Sequence, residues 1–136
     1  ANVAPERIIF ANPVKASNQI KYARQEDIVL LTFDSISELY KIKLYHPKAK
    51  LLVRIKIDDS KSVCRFSCKF GAGADELESI FTIAKACDLN VIGVSFHVGS
   101  NCYGLEMYSK AMQNGALGGS KAEARDDNFS YLNRVV

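Results

Sequence analysis

Three stretches of the chain carry residue types suited to chemistry. Arg54 stands inside the apolar run LLVRIKI at 51–57. A guanidinium there is costly inside the sheet unless it pairs with an acid or faces a polar cavity; otherwise its side of the strand is wet. His97 heads the segment PheHisValGlySerAsnCys at 96–102, an imidazole followed by a small-residue turn that contains Ser100. Such a histidine can serve as a general acid or base, stack on a flat ligand or sit satisfied in a core, and the turn's hydroxyl and N–H groups suit an anion. GlyAlaGlyAla at 71–74 precedes a helical pattern but lacks the G-x-G-x-x-G or P-loop spacing that would define a nucleotide site. Cys64, Cys68, Cys87 and Cys102 form no C-x-x-C pair, and His46 and His97 are the only histidines, so no metal site is expected. No G-x-S-x-G elbow, H-E-x-x-H pair or paired-carboxylate arrangement occurs.

These groups must be positioned by a chain of 136 residues that is 48% hydrophobic and 24% charged, enough apolar mass for one globular core. Eighteen basic against fifteen acidic side chains leave +3 without a block of like charge, so neither a nucleic-acid nor a lipid surface is expected. The apolar runs are far below the roughly 18 to 20 residues of a membrane helix. The first residues show no basic region leading into an apolar stretch, which makes cytoplasmic, reduced cysteines the expectation.

Short β-branched runs alternate with amphipathic stretches. Strands are expected at 7–11, 28–33, 51–57 and 90–98, and helices at 15–25, from 35 to near His46, at 75–86 and at 105–113. On the first helix Ile20 and Ala23 face inward, with Lys15, Gln19 and Arg24 left to solvent. Asp34 and Ser35 are cap candidates for the second helix, Ser35 and Glu38 have capping-box spacing, and Pro47 stops it. The stretch 58–74 reads as a loop. Strand and helix in alternation mean βα units and a parallel sheet, and about four such units are half of an eight-stranded barrel. Open strand edges are then expected at the first and fourth strands, with Val53 and Ile55 pointing inward and lacking a facing layer. Residues 1–113 form the patterned domain, and 114–136 read as a divergent tail without periodicity.

In parallel α/β architectures the reactive groups gather at the carboxyl ends of the strands, where His97 falls at the end of the fourth expected strand. ERIIFANPVKASNQIKYA, LLTFDSISEL, HPKAKLLVRIKIDDSKSVCRFSCKFGA and NVIGVSFHVGSNC, in that order, closely resemble the middle of the eukaryotic ornithine decarboxylase family over roughly residues 5–112. The resemblance implies a partial (β/α)8 barrel of the alanine-racemase-like type, pyridoxal 5'-phosphate as cofactor, polyamine biosynthesis and a homodimer with shared active sites. By it, His97 stacks on the cofactor ring, Ser100 hydrogen-bonds its phosphate, and Arg54 lies near it with an acidic partner outside this chain. It likewise assigns Lys69 to a salt bridge across the dimer interface, and Lys21, Glu38 and Lys41 to the surface that binds antizyme, a surface shared by the antizyme inhibitors.

The departures from the family pattern are equally specific. The lysine that forms the Schiff base belongs to a Y-A-V-K-C motif that this chain lacks, and Lys15 in NPVK imitates that motif while matching another family lysine. The G-G-G-F phosphate loop, the acid facing the pyridine nitrogen and the C-terminal β-domain are also missing. The resemblance therefore implies part of a decarboxylase with no catalytic lysine of its own, inactive alone, or alternatively an antizyme-binding module of the inhibitor kind.

Overall fold

Parallel pairing follows from the alternation of apolar runs with amphipathic helices, because each helix carries the chain back to the starting edge of the sheet. The computed structural model describes residues 3–57, 62–64, 67–98, 100–102, 113 and 134–135. After a 3-10 turn at Pro5–Arg7 the order is β1 (Ile9–Phe10), α1 (Ser17–Gln25), β2 (Leu30–Phe33), α2 (Ile36–Tyr45), β3 (Lys50–Arg54) and β4 (Ser62–Cys64). There follow α3 (Leu77–Ala86), β5 (Asn90–Ser95), β6 (Ser100–Cys102) and β7 (Arg134–Val135). The main sheet is parallel, in the order β1-β2-β3-β5-β7. Its four leading strands and three helices are the βα units expected, those of a partial barrel.

One face of this sheet packs on the helices. Leu31, Phe33, Leu51, Val53, Val91 and Val94 join Ile20 of α1, Leu39 and Ile42 of α2, and Ile80 and Ala84 of α3 in one buried cluster. Val53 and Ile55 belong to it, so they face the helix layer and are covered, contrary to the inward placement expected of them. A register shift between Leu51 and Leu52 adds one residue to β5, which lets both Val91 and Val94 follow Leu51 and Val53 onto that face. By alternation the opposite face carries Thr32, Leu52, Gly93 and Ser95, and Arg54 pairs with Ser95 on it.

Several boundaries differ from the sequence reading. α1 starts at Ser17, and Lys15 is buried in the turn before it instead of being solvated. The stretch 58–74 contains β4, which pairs antiparallel with β6 in a separate two-stranded sheet. Strand β3 ends at Arg54, after which Ile55 bridges to Ala72. The far edge of β5 is not open, because Arg134–Val135 pairs with Gly93–Val94. The rest of the tail, and the helix expected at 105–113 except Gln113, lie outside the described residues. Among the described residues no helix is long and apolar enough to cross a membrane.

Candidate functional site

Arg54 is the last residue of β3, and its alternation puts it on the sheet face away from the helices. The side chain is half-buried, with its guanidinium carbon 5.1 Å from the centre of the Phe70 ring. Burial lowers its pKa, and the carboxylate of Asp34 opposes that shift. Asp34 follows β2, the neighbouring strand, and its Oδ2 accepts the Gly71 N–H at 2.9 Å. Asp34 is thus an acid of this chain whose charge acts on Arg54. The sequence reading took Asp34 as a helix cap; the cap position belongs to Ser35, whose hydroxyl lies 3.2 Å from that of Ser37 and caps no backbone N–H. The signal that could have found Asp34 is its place one residue past a strand that pairs with β3.

His97 lies two residues past the end of β5 and is exposed. Since β3 and β5 are neighbours in register up to Arg54 and Ser95, Arg54 and His97 leave the same end of adjacent strands. Ser100 is on β6 opposite Cys64, in a short strand and not in the turn that its small neighbours suggested. Lys69 is exposed immediately before Phe70.

A second charged cluster closes the β1 end of the sheet. Lys15 is 1% exposed, and its Nζ donates to Asn12 O at 3.1 Å, Pro13 O at 3.2 Å and Thr32 O, and pairs with Glu38 Oε1 at 3.1 Å. Glu38 also accepts the Lys15 backbone N–H at 3.2 Å, and its Oε2 pairs with Lys41 Nζ at 2.6 Å. Lys41 Nζ in turn donates to Lys15 O at 2.7 Å. An ammonium has three protons, so Lys15 is fully engaged. Burial lowers its pKa, and the charge and hydrogen bond of Glu38 oppose the shift. Glu38 is itself 1% exposed, which corrects two expectations: it is neither the acceptor of a capping box nor part of an open charged surface beside Lys21 and Lys41. Its carboxylate turns inward because two ammonium groups compensate it there. Lys21 is exposed, its ammonium 4.7 Å from the Tyr45 ring centre, and Lys41 is about one-third exposed at 33%.

Residues 1–123 match the family model described as pyridoxal-dependent decarboxylase, pyridoxal binding domain. The ornithine decarboxylase of Schizosaccharomyces pombe is 46% identical over 130 residues, which cover 96% of this chain and 30% of that protein. Antizyme inhibitor 2 of Xenopus laevis is 47% identical over 115 residues, 85% of this chain and 25% of its own length. Among solved structures, the Paramecium bursaria Chlorella virus arginine decarboxylase bound to agmatine superposes with a TM-score of 0.89 at 36% identity, over 96% of this chain and 34% of that one. The chain thus spans about a third, or less, of the length of the relatives it matches.

Proposed function

The chain belongs to the pyridoxal-dependent decarboxylases, within their pyridoxal-binding domain, and from that premise we propose that it forms one wall of a pyridoxal phosphate site in an ornithine-type amino-acid decarboxylase. The observation that carries this reading is the half-buried Arg54 at the carboxyl end of β3, on the face away from the helices, with His97 leaving the same end of β5. The donor set suits the group. A guanidinium with an aromatic neighbour offers positive charge to a phosphate-bearing ring, and Gly93 and Ser95 are the small residues that β5 contributes to that face. When bound, the cofactor supplies an electron sink for loss of a carboxylate. In this reading His97 supports the flat ring, the Ser100 hydroxyl donates to the phosphate, and Arg54 sets the local charge.

The chain takes the cofactor without a covalent lysine. Lys15, the buried lysine near the strand ends, has its protons committed to backbone carbonyls and Glu38. Thermal unfolding with and without pyridoxal phosphate tests the reading. A transition that rises with cofactor, falls about tenfold in apparent affinity in Arg54→Met and leaves no lysine adduct after borohydride reduction is expected. A cofactor-independent melt overturns it. Residues 1–136 by themselves are expected to release no carbon dioxide from ornithine, because no lysine among them stands in the Schiff-base motif.

A second reading, antizyme binding over residues 17–41, is supported by the likeness to antizyme inhibitor 2 and by an outward face that exposes Lys21, Tyr22 and Tyr40. Glu38 would contribute only by holding Lys41. Saturable antizyme binding that is weakened by Lys21→Ala supports this reading, and no binding by the wild-type chain removes it. A homodimer contact through Lys69 belongs to the same family-level proposal and is tested by sedimentation.

A further inference from the structure

Past the end of β3 the chain returns so that Phe70–Ala72 runs beside Ile55 and Lys56. Lys56 N–H donates to Ala72 O at 2.9 Å and Ala72 N–H to Arg54 O at 2.8 Å. Gly71 permits this approach. Its φ is +102°, and a Cβ there would stand 2.7 Å from Lys56 N and 2.8 Å from Lys56 Cα, so a side chain is excluded by both conformation and space. The Gly71 N–H reaches Asp34 Oδ2, and the preceding residue presents the Phe70 ring to Arg54.

We propose that Asp34 and Phe70 are positioning residues for Arg54, fixing where its guanidinium stands at the carboxyl end of the sheet. The inference rests on the reading of Arg54 as part of the pyridoxal phosphate site and adds how that arginine is held there. An arginine at a strand end has a long, rotamer-rich side chain, and ordering it on binding costs affinity unless it is ordered beforehand. Here two different contacts order it. The ring face attracts the guanidinium directly. The Asp34 carboxylate acts twice, through its charge on Arg54 and through the Gly71 N–H that secures the residue next to Phe70. The carboxylate of Glu38, by contrast, is taken up by Lys15 and Lys41. Exposed Lys69 precedes Phe70 by one residue, and a contact made at Lys69 therefore reaches Arg54 through a single peptide.

The test follows the Arg54 side-chain Nε–H signal by 1H–15N NMR, together with pyridoxal phosphate affinity, in the 136-residue chain and its variants. In the wild type the Phe70 ring current displaces the Arg54 signal. Phe70→Leu, which keeps apolar bulk, is expected to abolish the displacement and weaken affinity about threefold to tenfold with little change in Tm, while Phe70→Tyr restores both. Asp34→Asn keeps an acceptor for the Gly71 N–H but removes the charge, and gives a smaller loss. On an Arg54→Met background Phe70→Leu is expected to add nothing, since its effect passes through the arginine. A merely structural clip predicts the opposite: an unmoved Arg54 signal and additive losses, either of which overturns the proposal. A wild-type chain that takes no cofactor while its Arg54 signal responds to Phe70→Leu refutes the cofactor reading and leaves the positioning intact.

Discussion

Two clusters that each combine basic and acidic side chains stand near the carboxyl ends of neighbouring strands, and they differ in what their charges meet. At β1 and β2, Lys15, Glu38 and Lys41 are joined to one another and to backbone carbonyls, and the first two are sealed from water. At β3, Arg54 is half-buried, rests on an aromatic face and feels a carboxylate that is itself occupied with a backbone N–H. The first cluster has spent its donors on the fold; the second is the one proposed to meet a ligand. Buried charge by itself therefore does not mark a binding site. The accounting of its hydrogen bonds does.

The largest effect that could break this comparison is expected at Glu38. Glu38→Ala leaves the Lys15 ammonium buried without its counter-ion, which should destabilise the chain by about 3–5 kcal/mol in urea unfolding. Lys15→Met combined with Glu38→Leu should recover most of that loss, because no uncompensated charge remains. If Glu38→Ala were as mild as a surface substitution, the cluster would be open and the distinction from Arg54 would fail. Gly71→Ala comes next. It forces a side chain into a positive-φ position against the backbone of Lys56 and should cost about 1–3 kcal/mol while loosening the segment that carries Phe70. An Arg54 signal that keeps its position in Gly71→Ala would show that the second cluster does not depend on this close approach.

How much of the comparison could be read from the sequence differs between the two clusters. Arg54 stood out, because a guanidinium in an apolar alternation has few explanations, and three of the four expected helices and the four main strands were legible from their periodicity. Lys15 was not. Its destination depends on Glu38, 23 residues away, and a lysine beside a helix start looks like any solvated lysine until the tertiary partner is in place. Asp34 was misread for a related reason: an acid before a helix satisfies a local rule, while the Gly71 N–H that claims it lies 37 residues further on. Strands β4 and β6 have three residues each, too short for alternation to show, and their pairing joins positions as far apart as Ser62 and Cys102. Local chemistry reads well when packing agrees with it and poorly when a distant group outbids it.

The smallest expected effect at neutral pH lies at the other end of α2 from Glu38, in a buried group outside both clusters. His46 ends α2, is 3% exposed, and its Nε2 lies 3.1 Å from Ile28 O, but its buried Nδ1 has no partner. A ring that donates from Nε2 keeps Nδ1 unprotonated, so a second proton would enter a buried position without an acceptor. Burial accordingly lowers the His46 pKa; the Ile28 carbonyl raises it in opposition, Arg24 of α1 lowers it further, and Asp27 raises it. The unfolded chain, with histidine near its ordinary value of about 6.5, then binds more protons than the folded chain over the interval down to the folded pKa. Stability is complete above that ordinary value, falls as pH drops through the interval, and levels once both states are protonated. Urea midpoints measured across this range should slope downward on acidification in the wild type and flatten in His46→Asn. An equal slope in both proteins would place the acid sensitivity elsewhere, and this end of α2 would then contain no titrating weak point.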